Sequence, residues 1–177
     1  MDLNREQILE LLGELGQEME SRGLRAELFI VGGAAMALAF DARRATRDID
    51  AVFVPKAEVY EAARSVAERR GLQPDWLNDA VKGFLLGEDP DRRTVFESPG
   101  CSVTVPSAQY LLAMKVYAAR VDRDADDIRT LAGISGLHSA DEVLDLAERY
   151  LAGIPIPAKV KFLVEELFDE GPRAPTT

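Results

Sequence analysis

The sequence predicts an α+β chain in which a mixed β-sheet flanked by helices is followed by a C-terminal helical bundle. Three observations carry this reading. Short apolar runs with strand character alternate with amphipathic stretches as far as Pro106. From Ser107 onward the apolar spacing is helical throughout, and capping-box signatures at Asn4 with Gln7 and at Ser139 with Glu142 mark helix starts in both halves. The expected boundaries are an α/β core over residues 1–106, a helical region over 107–171, and a proline-bearing, disordered tail over 172–177.

Each element has its own warrant. Between Asn4 and Arg22, apolar residues at Ile8, Leu11, Leu12, Leu15 and Met19 line one face of a helix. The run Ala26 to Val31 is short and apolar, and it leads straight into Gly32 and Gly33, as a buried strand before a turn does. "AAMALAF" then reads as a helix. In "RDIDAVFVP" the alternation places Asp48, Asp50, Val52 and Val54 on one strand face and Ile49, Ala51 and Phe53 on the other. Pro55 suits the first position of a helix whose stripe of Val59, Ala62, Ala63, Val66 and Ala67 ends at Gly71. Pro74 to Gly83 reads as a short helix, and "TVFE" with "CSVTV", separated by "SPG", as an antiparallel hairpin. Helices capped at Ser107, Asp124 and Ser139, and one after Pro157, complete the chain.

Composition bounds the function. A chain of 177 residues, 47% apolar, can bury one substantial core, or a core with a helical annex. A net charge of -10 argues against a broad electrostatic grip on nucleic acid, so any such contact must be local. The single cysteine, Cys101, excludes an intramolecular disulfide and a cysteine-rich zinc site. The lone histidine, His138, lies in a turn before a capped helix and receives no role. The start "MDLNREQ" lacks a basic, apolar leader, and no apolar run approaches the roughly 20 residues that span a bilayer. A soluble, cytoplasmic protein with no membrane partner is expected.

Two acids at i and i+2 on a strand are the first sign of chemistry. Burying an unpaired carboxylate costs several kcal/mol of solvation, roughly, so Asp48 and Asp50 call for a cation. Either a divalent metal supplies it, or one aspartate pairs with Arg43, Arg44 or Arg47 at an exposed strand end. Gly32 and Gly33 let a backbone approach a phosphate at a helix N-terminus, or simply make a tight turn. The pair belongs neither to a Walker loop nor to a dinucleotide fingerprint, because Gly-Lys-Ser/Thr and the third glycine are absent. Lys115 lies beside Tyr110, Leu111 and Leu112 as either a phosphate partner or a snorkelling surface lysine. Asp124 and Asp127 fall at a helix start, where acids favour the dipole and cap N–H groups; Asp124 suits the cap, Asp127 a reach into a site as base or orienter. Arg43, Arg44 and Arg47 either pair with nearby acids on a solvated loop or meet phosphates.

The order strand, Gly-Gly, helix, basic loop and Asp-x-Asp strand resembles the nucleotidyltransferase superfamily that shares the DNA polymerase β palm. Downstream, "VPSAQYLLAMKVYAARVDRDADDIRTL" and "PDWLNDAVKGF" are similar to the AbiEii-like nucleotidyltransferase toxins and their short relatives. The resemblance implies a minimal nucleotidyltransferase fold over residues 1–106. It implies Gly32, Gly33, Lys115 and Asp124 as nucleotide-binding residues, Asp48 and Asp50 as ligands of Mg2+, and Asp48, Asp50, Lys115 and Asp127 as catalytic; Arg44 and Arg47, next to Asp48, join the nucleotide-binding set on the phosphate reading of the basic loop. Four motifs are matched in order: Gly32 with Gly33, Asp48 with Asp50, Lys115, and Asp124 with Asp127. The implied substrate is a nucleoside triphosphate (NTP), the implied acceptor a tRNA 3′ end and the implied partner a cognate antitoxin; against the acidic net charge, a basic cleft around Arg43, Arg44, Arg47, Lys82 and Lys115 would suffice for a local RNA contact. The Gly-Gly-Ala-Ala turn departs from the Gly-Ser-x-x-x-Gly form of antitoxin-like adenylyltransferases. That role, antibiotic nucleotidylation and a non-catalytic nucleotide- or partner-binding scaffold are the rival readings. The third carboxylate usual in palms has one candidate in the hairpin, Glu97, of uncertain register.

Overall fold

A computed structural model describes residues 2–41, 43–119 and 124–169. The expected tail over 172–177, Arg123 of the "RDADD" motif and the side chain of Lys82 lie outside the described residues. The fold is α+β, with seven α-helices and a five-stranded mixed sheet among the described residues. Contacts divide it into two compact units: the chain up to Leu85 with Asp89–Ser107, and Leu86–Glu88 with the helices from Ala108 onward.

The first unit is built on the sheet. Helix α1 (Arg5–Ser21) starts where Asn4 and Gln7 cap each other reciprocally, at 3.0 Å in both directions. It buries Ile8, Leu11, Leu12, Leu15 and Met19, each worth about 1.5–3 kcal/mol of transfer free energy before entropy is counted. Strand β1 (Ala26–Ile30) follows, then α2 (Gly32–Ala35), which runs on as a π-helical turn over Met36–Phe40. The expected single helix therefore widens part-way. The Asp41 N–H closes the turn on the Met36 carbonyl at 2.8 Å, while Arg5 and Arg93 donate to the carbonyls of Leu38 and Ala39 at 3.4 and 3.3 Å.

Strand β2 (Ile49–Val54) leads to α3 (Lys56–Arg70), β3 (Leu77–Asn78), a 3-10 turn over Ala80–Phe84, and the hairpin of β4 (Arg93–Ser98) and β5 (Cys101–Val105). The sheet order is β3-β2-β1-β5-β4, with β1 antiparallel to β2 but parallel to β5, and β2 parallel to β3. Ala26, Leu28, Ile30, Ile49, Ala51, Phe53, Cys101, Val103 and Val105 are buried. The alternating residues Asp50, Val52, Phe29, Ser102 and Thr104 are half-exposed. Strand alternation thus keeps Asp50 off the buried face.

Three expectations shift. Asp48 precedes the strand, which begins at Ile49, and Pro55 stands just outside α3. No helix opens at Pro74, because tertiary contacts outweigh the local signal. The Trp76 indole donates to the Ala63 carbonyl at 2.9 Å, and Leu77 pairs with Ile49 in β2.

The second unit contains α4 (Ala108–Tyr117), α5 (Ala125–Ile134), α6 (Ala140–Leu151) and α7 (Ala158–Asp169). Helix α4 packs on α5 and α6, and its Tyr110, Leu111, Leu112, Ala113, Met114 and Val116 are all buried. The Tyr110 hydroxyl donates to the Gly87 carbonyl at 3.0 Å and accepts from the Leu86 N–H at 2.8 Å. Helix α6 opens on the Ser139–Glu142 capping box. Among the described residues, no helix is long and apolar enough to cross a membrane.

Candidate active site

The end of β1 delivers the chain into a turn that only glycine fits. Gly32 has φ of +63°, in the left-handed region, and a Cβ there would lie 3.3 Å from Asp50 Oδ2. At Gly33 a Cβ would come within 2.8 Å of Thr46 Oγ1 and 3.1 Å of its Cβ. The two glycines thus bring the start of α2 against the chain that carries the aspartates. The first i to i−4 bond of this helix is made by the Ala35 N–H to the Val31 carbonyl at 3.3 Å, so the N–H groups of Gly32, Gly33 and Ala34 come before it. The Val31 N–H, in turn, donates to the Asp50 carbonyl at 2.9 Å, tying the turn to β2.

Asp48 and Asp50 meet a common neighbour. Asn78 is the register partner of Asp50 across the β2–β3 pair, and its Nδ2 donates to Asp48 Oδ2 at 3.3 Å. Thr46 Oγ1 donates to the Asp48 carbonyl at 3.1 Å, and Thr46 is itself held by a two-way backbone bridge to Leu3. Neither Thr46 nor Asn78 stands out in the sequence. Both act through pairings with residues more than 25 positions away in the chain, so local pattern carries no signal for them.

The basic loop divides. Arg43 is exposed and pairs with Asp41 at 3.2 Å, while Arg44 is half-buried and Arg47 exposed. The Arg43 backbone N–H and then its guanidinium hold the Asp41 carboxyl below its ordinary range. Glu97 is not a third ligand of this group. It pairs with Arg25 and accepts from Ser102 at 2.8 Å, and those bonds lower its pKa, the Ser102 bond most. Register runs from Glu97 to Ser102, Glu27 and Val54, so Glu97 is three strands away and level with the opposite end of β2 from Asp50. Among the described residues no three His, Cys, Asp or Glu side chains cluster as a metal site.

The downstream motif forms a cluster inside the second unit. Lys115 Nζ lies 2.7 Å from Asp124 Oδ1 and 2.8 Å from Asp127 Oδ2. Side-chain exposure is 15% for Lys115 and Asp124 and 4% for Asp127, so the buried carboxylate sits against its cation. Asp124 occupies the N-cap position of α5, yet its side chain makes no capping bond and turns to Lys115 instead. Lys115 is accordingly no ordinary surface lysine.

Residues 6–152 match a family described as nucleotidyltransferase of unknown function (DUF6036). The chain belongs to this family. The match spans Gly32, Gly33, Asp48, Asp50, Lys115, Asp124 and Asp127 alike. This nucleotidyltransferase-family chain is also similar to the crystal structure of an antigenic nucleotidyltransferase-like protein from Paracoccidioides brasiliensis. Identity is 15%, the TM-score is 0.49, and the alignment covers 92% of this chain and 95% of that one. No curated protein matches.

In the nucleotidyltransferase-family chain, the first unit therefore assembles a glycine turn, two carboxylates and an amide; the second assembles a lysine between two carboxylates. The oxygen donors of Asp48 and Asp50 suit a hard divalent cation such as Mg2+. Such an ion is commonly held by one or two carboxylates, with water and substrate phosphate oxygens completing the sphere. A two-carboxylate set fits that demand without Glu97.

Proposed function

We propose that this chain is an active, divalent-metal-dependent nucleotidyltransferase that moves a nucleotidyl group from an NTP to an acceptor hydroxyl, the acceptor being a tRNA 3′ end. The observation that carries the reading is the approach of Gly32 to Asp50, 3.3 Å from a built Cβ to Oδ2, which sets a helix start beside a carboxylate. A triphosphate needs both features, N–H donors for its phosphate oxygens and carboxylates for its cation.

Asp48 and Asp50 would hold Mg2+. When bound, it neutralises charge on the triphosphate and makes the acceptor hydroxyl more acidic. Gly32 and Gly33 leave room for a phosphate to approach the backbone, and Arg44 and Arg47 are assigned to phosphate oxygens. Lys115 is assigned to the triphosphate as well; its ammonium has three donors, of which Asp124 and Asp127 engage two. Asp127 then serves as orienter of that ammonium. The acceptor oxygen attacks the α-phosphorus, a new P–O bond forms, the bond to the bridging oxygen breaks, and pyrophosphate leaves. The hydroxyl proton passes to solvent.

Within this reading residues 1–106 form the catalytic core and 107–171 a helical region, in a cytoplasmic toxin restrained by a cognate antitoxin. The resemblance to AbiEii-like toxins supports the tRNA acceptor, and the basic loop before Asp48 supports a local RNA contact. Incubating the protein with α-labelled NTPs, Mg2+ and total tRNA tests it. Label on tRNA that disappears in Asp48→Ala is expected. Label on a protein or a small molecule instead would overturn the acceptor, and no transfer to anything would overturn the enzyme.

A further inference from the structure

We propose that Asn78 is a positioning residue for the Asp48 carboxylate, locking one of its oxygens so that the other faces the divalent cation; this rests on the metal-dependent reading above. The amide orientation is settled by its own contacts. Asn78 Oδ1 accepts the Ala80 N–H at 3.1 Å, so the end turned toward Asp48 Oδ2 at 3.3 Å is the NH2 donor. A flipped amide would set an oxygen against the carboxylate and an NH2 against a backbone donor, losing both bonds.

Asn78 is itself fixed by contacts that involve neither aspartate. On one side, the Ile49 N–H donates to the Trp76 carbonyl at 2.7 Å, the Trp76 indole is anchored on Ala63, and Leu77 is buried. On the other side, Asp79 accepts from the Tyr60 hydroxyl at 2.6 Å and pairs with Lys56 at 2.5 Å. The Tyr60 ring packs edge-on against Phe53 of β2 at 5.0 Å, which ties α3 back to the strand that follows Asp48. Burial, followed by the Asp79 bond, raises the Tyr60 pKa, so its hydroxyl remains a donor at neutral pH. A two-residue strand, too short to hold itself, is thereby held on both flanks. The restraint converges on the amide that touches Asp48.

Partners of this kind orient ligating carboxylates, and their loss commonly costs about 10–100-fold in metal affinity. The test uses full-length protein, Mn2+ as the probe and a non-hydrolysable triphosphate, with bound Mn2+ read by electron paramagnetic resonance and folding by thermal melting. Asn78→Ala and Asn78→Leu both remove the donor, and the leucine keeps the branched side-chain shape should the alanine variant unfold. The expected result is Mn2+ affinity about 10-fold weaker in folded Asn78 variants and binding lost in Asp48→Ala. Wild-type affinity in the Asn78 variants, with loss in Asp48→Ala, would overturn the role of Asn78 and leave the metal site standing. No Mn2+ binding by the unsubstituted protein would overturn both.

Discussion

Asp48 of the first unit and the paired acids of the second are held in opposite ways. In the second unit, Asp124 and Asp127 close on Lys115 at 2.7 and 2.8 Å, and the buried Asp127 sits against a fixed ammonium. In the first, Asp48 accepts from a neutral amide, and Asp50 Oδ2 lies close against the backbone of Gly32. The contrast separates two uses of a carboxylate. A buried acid beside a lysine contributes to the stability of its unit as well as to any chemistry there, because removing the lysine takes the counter-charge from a buried carboxylate. A half-exposed acid contributes less to the fold, and in the proposed function Asp48 and Asp50 serve binding instead.

The largest effect is therefore expected at Lys115. Lys115→Met takes the ammonium away from the buried Asp127 and should lower unfolding free energy by about 3–5 kcal/mol in chemical denaturation. The double variant with Asp127→Asn should recover much of that loss; equal losses in the single and double variants would break the contrast. Gly32→Ala comes next. Positive φ penalises any Cβ, and contact with Asp50 Oδ2 adds to it, so a loss of about 1–2 kcal/mol is expected, accompanied by weaker triphosphate binding in calorimetry.

Tyr60→Phe removes the bond to Asp79 and should cost about 0.5–1.5 kcal/mol by denaturant titration, with a smaller loss of Mn2+ affinity than Asn78→Ala. The smallest stability effect is expected for Asp48→Asn, within about 0.5 kcal/mol, as for a half-exposed position outside the core. A loss there rivalling that of Lys115→Met would erase the distinction between the two units.

What the sequence makes legible follows the same line. The Gly-Gly turn, the hairpin and both capping boxes are local patterns, and each appears where its chemistry requires it, whereas the strand alternation read from Asp48 begins only at Ile49. The Asp124 cap fails because a side chain with two possible partners chose the lysine of the previous helix over its own N-terminus. In the π-helical turn the Leu38 and Ala39 carbonyls accept from Arg5 and Arg93, partners at distant positions that helical periodicity does not register. Asn78 and Thr46 escape for a related reason. Their meaning comes from β3 lying on β2 and from Leu3 bridging Thr46, and nothing in "PDWLND" or "RATRD" announces either pairing.

The central claim is that Asp48 and Asp50 present a divalent cation to a triphosphate beside Gly32. Isothermal titration of the protein with a non-hydrolysable triphosphate, with and without Mg2+, tests it most directly. Binding that requires Mg2+ and vanishes in folded Asp48→Ala and Asp50→Ala is the predicted result. Binding that persists in both variants, or that is absent for all four bases with Mg2+ present, would contradict it.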